Sequence, residues 1–161
     1  MGRTGSGKTT RTRLISRFYD PLAGTVRRGG VDLCSLSRAA IRARIGLVTQ
    51  DVHLFNASLR DNLTLFDTRI TDEQLQAVLQ TLGLSAWLRE LAHGLDTVLG
   101  SGGIGLSAGQ AQVLACARIF LSNPDIVILD EASSRLDPAT ERLVHTALER
   151  LLDSRTGIIV A

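Results

Sequence analysis

Near the start of the chain, Gly2-Arg3-Thr4-Gly5-Ser6-Gly7-Lys8-Thr9 sets glycines, a lysine and a hydroxyl at the spacing of a phosphate-binding loop, G-x-x-x-x-G-K-[ST]. The chemistry follows from the residue types. Gly2, Gly5 and Gly7 permit backbone angles that turn successive amide N–H groups inward around a polyphosphate. From Lys8 the sequence reads as a helix, so its open N–H groups and the positive end of its dipole face the same anion. Lys8 is placed to reach the β- and γ-phosphates as a point charge, and the Thr9 hydroxyl is a candidate magnesium ligand.

Such a loop needs a partner acid, and Asp125-Ile126-Val127-Ile128-Leu129-Asp130-Glu131 offers one. Four consecutive β-branched or leucine residues suit a strand buried on both faces, as in a parallel sheet. Two carboxylates at its end are costly there without a cation. Asp130 is the candidate to sit near the metal, and Glu131 the candidate to take a proton from an attacking water. The competing reading is an acid pair that caps the following turn. A third polar candidate ends the short apolar run Ile45-Gly46-Leu47-Val48-Thr49. Ligands of open α/β sheets lie outside the carboxyl ends of the strands, so Gln50 could hold a magnesium ion or a water. Its position alone allows a solvated loop amide equally well.

These residues need elements to position them. Thr10 to Phe18 carries apolar Leu14, Ile15 and Phe18 on one helical face, and Asp20-Pro21-Leu22-Ala23-Gly24 stops that helix. Residues 25–33 read as two extended pieces around the Gly29-Gly30 turn, and Ser37 caps a short helix running to Arg44. Residues 58–92 read as locally helical. Ser58 opens a capped turn, Thr71 and Gln74 form a capping box before Leu75, Val78, Leu79 and Leu82, and Gly83 closes that helix. A further short helix surrounds Trp87. Leu95 to Gly105 reads as a glycine-rich loop. Ser107 and Gln110 then form a second capping box, opening a helix with Val113, Leu114, Ala117, Phe120 and Leu121 on its apolar face. By spacing alone this is only a well-capped helix. Asn123-Pro124 breaks it, Asp137 and Pro138 start a helix that buries Leu143, Val144, Ala147, Leu148, Leu151 and Leu152, and Thr156 to Ala161 begins one more buried strand. Strand and helix alternate on both sides of a helical insertion, the pattern of an α/β fold.

At 161 residues the chain holds one domain with a real core. Its 18 basic and 16 acidic side chains leave a net charge of +2 that no stretch concentrates, so nothing marks a nucleic-acid or lipid surface. Cys34 and Cys116 match no metal or redox spacing and read as reduced structural thiols. No apolar run approaches the roughly 18 residues of a membrane span.

With the phosphate loop, Leu106-Ser107-Ala108-Gly109-Gln110 and Ile128-Leu129-Asp130-Glu131-Ala132-Ser133-Ser134-Arg135-Leu136-Asp137 in this order, the chain resembles the nucleotide-binding domain of ATP-binding cassette transporters. Asn56-Ala57-Ser58-Leu59-Arg60-Asp61-Asn62 after Gln50 is similar to the exporter-type branch. The resemblance implies an α/β P-loop NTPase: a RecA-like core with a mostly parallel sheet in residues 1–51 and 123–161, and an inserted helical subdomain over 52–122. It implies that Gly2, Arg3, Thr4, Gly5, Ser6, Gly7, Lys8, Thr9 and Thr10 hold ATP, that Thr9, Gln50 and Asp130 attend Mg²⁺, and that Glu131, Gln50 and Lys8 are the catalytic candidates. Ser107, Gly109 and Gln110 would meet an ATP held by the opposite subunit of a head-to-tail dimer, and Asp137 would communicate across it. The partners implied are a second nucleotide-binding domain and the transmembrane domain of an exporter, with the chain peripheral at the cytoplasmic face and no nucleic acid. Ala108 stands where the family usually has Gly, Ala111 where Arg is common, and Ser101 where exporters often place Glu. The family also has a strand and an adenine-stacking aromatic ahead of the loop, and a histidine beyond the last strand. Met1 directly precedes the loop here, and His53, His93 and His145 lie elsewhere. The sequence is therefore expected to be a piece of a longer protein, and the alternative implied is a truncated or regulatory module that binds ATP without efficient turnover.

Overall fold

The structure, a computed structural model, describes residues 7–49, 51–100, 103, 105–130 and 138–160, with the backbone alone at 8, 9 and 138–140. The first helix, α1 (Lys8–Ile15), ends three residues earlier than its apolar spacing predicts. The cause is Arg17, which adopts a left-handed φ of 50° while the Phe18 amide donates back to the Arg13 carbonyl at 2.8 Å. The long side chain makes that conformation tolerable: its guanidinium donates to Asp20 at 2.7 Å and to the carbonyls of Leu33 and Leu36. Phe18 is consequently half exposed, where the sequence placed it on the buried face.

Two residues of strand, β1 (Arg27–Arg28), pair antiparallel with β2 (Val31–Asp32). The linking Gly29 and Gly30 both take positive φ, 54° and 81°, as a two-residue turn matched to strand twist requires. A single 3-10 turn (Leu33–Ser35) leads to α2 (Arg38–Arg42), where the Ser37 hydroxyl accepts from the Ala40 amide. Next come β3 (Ile45–Val48), β4 (Ala57–Ser58), α3 (Leu59–Thr64), α4 (Asp72–Thr81), α5 (Ser85–Glu90) and β5 (Val98–Leu99). The Thr71/Gln74 capping box that opens α4 is closed in both directions. Strand β5 lies inside the stretch read as a glycine-rich loop. It pairs antiparallel with β4, Ala57 facing Leu99, and two-residue strands are too short to leave a periodic signature.

The chain then runs through α6 (Ala108–Ser122), β6 (Ile126–Asp130), α7 (Pro138–Leu152) and β7 (Thr156–Val160). Strands β3, β6 and β7 form a parallel sheet in that order, with Val48 beside Leu129 and Leu129 beside Ile159. The fold is thus α/β, with helices around a parallel sheet. Central β6 buries Val127, Ile128 and Leu129, as the uninterrupted apolar run predicts. Strand β7 departs from its prediction. Among the described residues it pairs on one side only, and Ile159 is left 68% exposed, as befits an edge.

One continuous core includes Val48 of the sheet, Leu59 and Leu63 of α3, Leu79 of α4 and Leu151 of α7. The buried face of α7 is narrower than its pattern predicts: Val144, Ala147 and Leu151 are buried, while Leu143, Leu148 and Leu152 are partly covered. Helix α6 supplies the core's centre. Short Asn123-Pro124-Asp125 turns it back so that it runs antiparallel to β6 and hence to β3. Gly46 allows the close approach: a Cβ there would lie 2.7 Å from Ile119 Cγ2 and 3.0 Å from Pro124 Cγ. At the amino ends of the strands, Asp125 accepts from Arg28 at 2.6 Å and Arg44 at 3.0 Å, tying the β1–β2 hairpin to the sheet.

Gly46→Ala is expected to cost about 1–3 kcal/mol through overpacking. In the Gly46→Ala, Ile119→Ala double variant the cost should be markedly less than additive, which denaturant titration of the four proteins measures. The guanidiniums of Arg44 and then Arg28 hold the Asp125 carboxyl below the ordinary aspartate range. Its contribution is therefore present above the unfolded-state titration and lost as pH falls through the lower folded value. Carbon-detected NMR titration should find the Asp125 midpoint low, and nearer the ordinary range in Arg44→Ala.

Candidate functional site

Helix α1 opens in an unusual way. Gly7 occupies the N-cap in the left-handed region, φ 79° and ψ 19°, with no side-chain cap and no acidic residue in the first turn. The amides of the first turn therefore have no partner from within the helix. They and the dipole present a positive end at the start of α1, and an oxyanion suits that donor set. A side chain at residue 7 would strain the backbone there, which explains the glycine. Gly2, Arg3, Thr4, Gly5 and Ser6 lie outside the described residues, as do the side chains of Lys8 and Thr9. Thr10 is exposed in the first turn of α1.

The second cluster lies at the carboxyl edge of the sheet. Register carries Val48 beside Leu129, so the chain leaves β3 and β6 at the same level. Asp130, half-buried, closes β6 beside Val160. Thr49 follows β3, its hydroxyl donating to the Asp51 carbonyl at 2.9 Å. An acid and the chain on either side of Gln50 are thus brought to one edge, the place where open α/β sheets bind ligands. Gln50, Glu131 and Asp137 themselves lie outside the described residues.

The third group is at the start of α6. The Ser107 hydroxyl accepts from the Gln110 amide at 3.2 Å, and the Gln110 side chain accepts from the Ser107 amide at 3.0 Å. The predicted capping box is therefore formed in full. Ser107 is exposed, Gln110 half-buried and Gly109 buried. From the Ile119 contact with Gly46, α6 rises about 16 Å to its first turn, while β3 extends only about 7 Å to Val48. The start of α6 consequently projects beyond the sheet's carboxyl edge.

A parallel sheet whose central strand ends in an acid, with a helix opened by Gly-Lys-Thr, defines a P-loop nucleotide-binding protein. Comparison narrows the class: the family described as ABC transporter matches residues 1–134. The chain belongs to the ABC transporter family and is a nucleotide-binding domain of that family. It is 43% identical over 162 residues to an ATP-dependent lipid A-core flippase of Alkalilimnicola ehrlichii, 42% identical over 161 residues to ABC transporter B family member 21 of Arabidopsis thaliana, and 40% identical over 161 residues to the uncharacterized ABC transporter ATP-binding protein YfiC of Bacillus subtilis. Each match takes in the whole chain, which spans 28%, 12% and 27% of those proteins.

Ser107→Ala removes one half of the box. It is expected to destabilise α6 by about 0.5–2 kcal/mol, read by denaturant titration, and Ser107→Gly by only a few tenths.

Proposed function

We propose that the chain is the ATP-hydrolysing module of an exporter, acting as a head-to-tail dimer peripheral to the cytoplasmic face of the membrane. The observation that carries the reading is the uncapped start of α1 behind left-handed Gly7, an oxyanion site by its donors. In this reading Gly2, Arg3, Thr4, Gly5, Ser6, Gly7 and Thr10 cradle the nucleotide phosphates, and Lys8 pairs with them as a point charge. Thr9, Gln50 and Asp130 hold Mg²⁺, which when bound neutralises charge on the transferring phosphoryl group. Glu131 orients the attacking water and accepts its proton. Ser107, Gly109 and Gln110 serve the ATP of the opposite subunit, in keeping with the extension of α6 past the end of β3. Residues 1–51 and 123–161 form the core, and 52–122 the helical subdomain.

Docking to a transmembrane domain is supported by an exposed apolar patch. Phe55 and Phe66 stack edge to face with centroids 5.4 Å apart, and both rings, with Leu65, are about half exposed. No helix among the described residues is long and apolar enough to cross a membrane, so in this reading that domain lies elsewhere in the assembly.

MgATP at about a hundred times its dissociation constant should stabilise the chain by roughly 2.7 kcal/mol, seen as a rise in melting temperature. Lys8→Ala should lose most of that rise. Glu131→Gln should keep it while phosphate release falls to the Lys8→Ala background. If the unaltered chain releases phosphate no faster than Lys8→Ala, the hydrolytic reading is wrong.

A further inference from the structure

The carboxyl ends of α4, α6 and α7 meet around an open cleft of about 640 Å³, lined in part by Thr81, Phe120, Glu149, Arg150, Asp153 and Arg155. That volume falls within the range of about 300–1,000 Å³ usual for small-molecule sites. Arg155 immediately precedes β7, so the cleft stands at the amino end of the sheet, opposite the edge that carries Asp130.

The helix ends explain the cations. A carboxyl end carries unpaired carbonyls and the negative end of the dipole, and a guanidinium suits both. Arg150, in the last turn of α7, donates to the carbonyl of Thr81, the last residue of α4. Arg155 donates from one terminal nitrogen to the Leu151 carbonyl and from the other to Asn123 Oδ1, each at 2.8 Å. Its guanidinium lies over the Phe120 ring, 4.8 Å from the centroid, and its Nε is buried with no hydrogen-bond partner among the described residues. Arg155 is thus a fixed charge, while Arg150 is exposed with most of its donors still open. All these acceptors are neutral, so neither positive charge is matched by a carboxylate. Acids line the same cleft without meeting them. Among the described residues Glu149 pairs only with His145, at 3.5 Å, and exposed Asp153 pairs with no cation.

Two guanidiniums and two carboxylates held apart in one cleft complement a ligand that carries both signs. We propose that this cleft binds a small zwitterion, with an oxyanion and an ammonium in one molecule. The oxyanion meets Arg150, whose planar fork suits a carboxylate or a phosphate, with Arg155 as a second positive charge. The ammonium meets Asp153, with Glu149 from the last turn of α7. Phe120 supplies an apolar wall for a side chain between them. A simple anion would face the acids and a simple cation the arginines, so each sign alone is disfavoured. The site is independent of the nucleotide reading.

The test is a titration of the isotope-labelled 161-residue chain, followed by amide NMR shifts. The probes are glycylphenylalanine, its N-acetyl form without the ammonium, its C-terminal amide without the carboxylate, and glycerophosphoethanolamine, which carries both charges of a lipid headgroup. The dipeptide should give saturable shifts at Thr81, Asp153, Ser154 and Arg155, with each single-charge form bound at least roughly tenfold more weakly, the loss expected for one charge-assisted hydrogen bond. Asp153→Asn should weaken the dipeptide by a similar factor and leave the N-acetyl form within twofold, a pattern that general loss of structure would not produce. Arg150→Gln keeps a donor for the Thr81 carbonyl and should weaken the dipeptide while sparing the amide form; if it does not fold, Asp153→Asn decides alone. Binding of glycerophosphoethanolamine in place of the dipeptide, at the same amides, supports the proposal and names a headgroup as the source. Failure of both zwitterions, equal binding of the single-charge forms, or shifts confined to other residues overturns it.

Discussion

The burial of α6 is the constraint on which the other elements depend. It packs on β3, α3, α4 and α7, so sheet and helices share a single core through it. A helix covered on nearly every side must be apolar around its circumference, and each polar group it carries must find a partner. Val113, Leu114, Cys116 and Ala117 meet the first demand. Burial pushes the Cys116 thiol up to about 12, so it behaves as a small apolar side chain and not as a nucleophile. Arg118 meets the second demand with carbonyls, whereas buried Gln112 leaves its Nε2 without a hydrogen-bond partner among the described residues. The glycine at position 46 belongs to the same constraint, since it lets the helix lie close on the sheet.

The two ends of the sheet are treated differently. At the amino ends, Asp125 draws Arg28 and Arg44 together, and its carbonyl accepts from the Thr156 amide as its own amide donates to Arg44. Chain segments from before, within and after the central strand are fastened there. The carboxyl ends carry the candidate acid Asp130 and the departures toward Gln50 and Glu131. Structural charges at one end and chemical candidates at the other keep the ion pairs that hold the fold away from the groups that would meet a ligand.

Much of this was legible in the sequence because the signals were local. The capping boxes at Thr71 and Ser107, the Gly29-Gly30 turn and the unbroken apolar run of β6 each depend on residues within a few positions of one another. What escaped was non-local. Pairing of β4 with β5 depends on Ala57 meeting Leu99 across the helices between them. The early end of α1 depends on carbonyls of Leu33 and Leu36 that welcome the Arg17 guanidinium. Exposure of Ile159 depends on β7 having, among the described residues, a neighbour on one side only, which no apolar count in the strand itself reveals. At the candidate site the phosphate loop and the acid were readable from residue types. Arg118 was not, because an arginine between apolar neighbours in a helix has no spacing that announces oxygens of His53 and Asn62 in two other segments.

The two helix starts contrast in a way that bears on their proposed roles. In α1 a left-handed glycine stands where a capping side chain would otherwise go, and in the proposed reading the first-turn amides are left to a ligand. In α6 the Ser107–Gln110 box engages two backbone donors within the chain itself, so the helix start is formed before anything meets it. That difference is what the proposed division of labour requires. A loop that encloses its own nucleotide can be completed by it. A helix that meets a nucleotide carried by another subunit must already hold its shape, since for part of any cycle of association that nucleotide is absent. The core-filling role of α6 adds a second reason, because a start that frayed on loss of ligand would open the packing of every element around it.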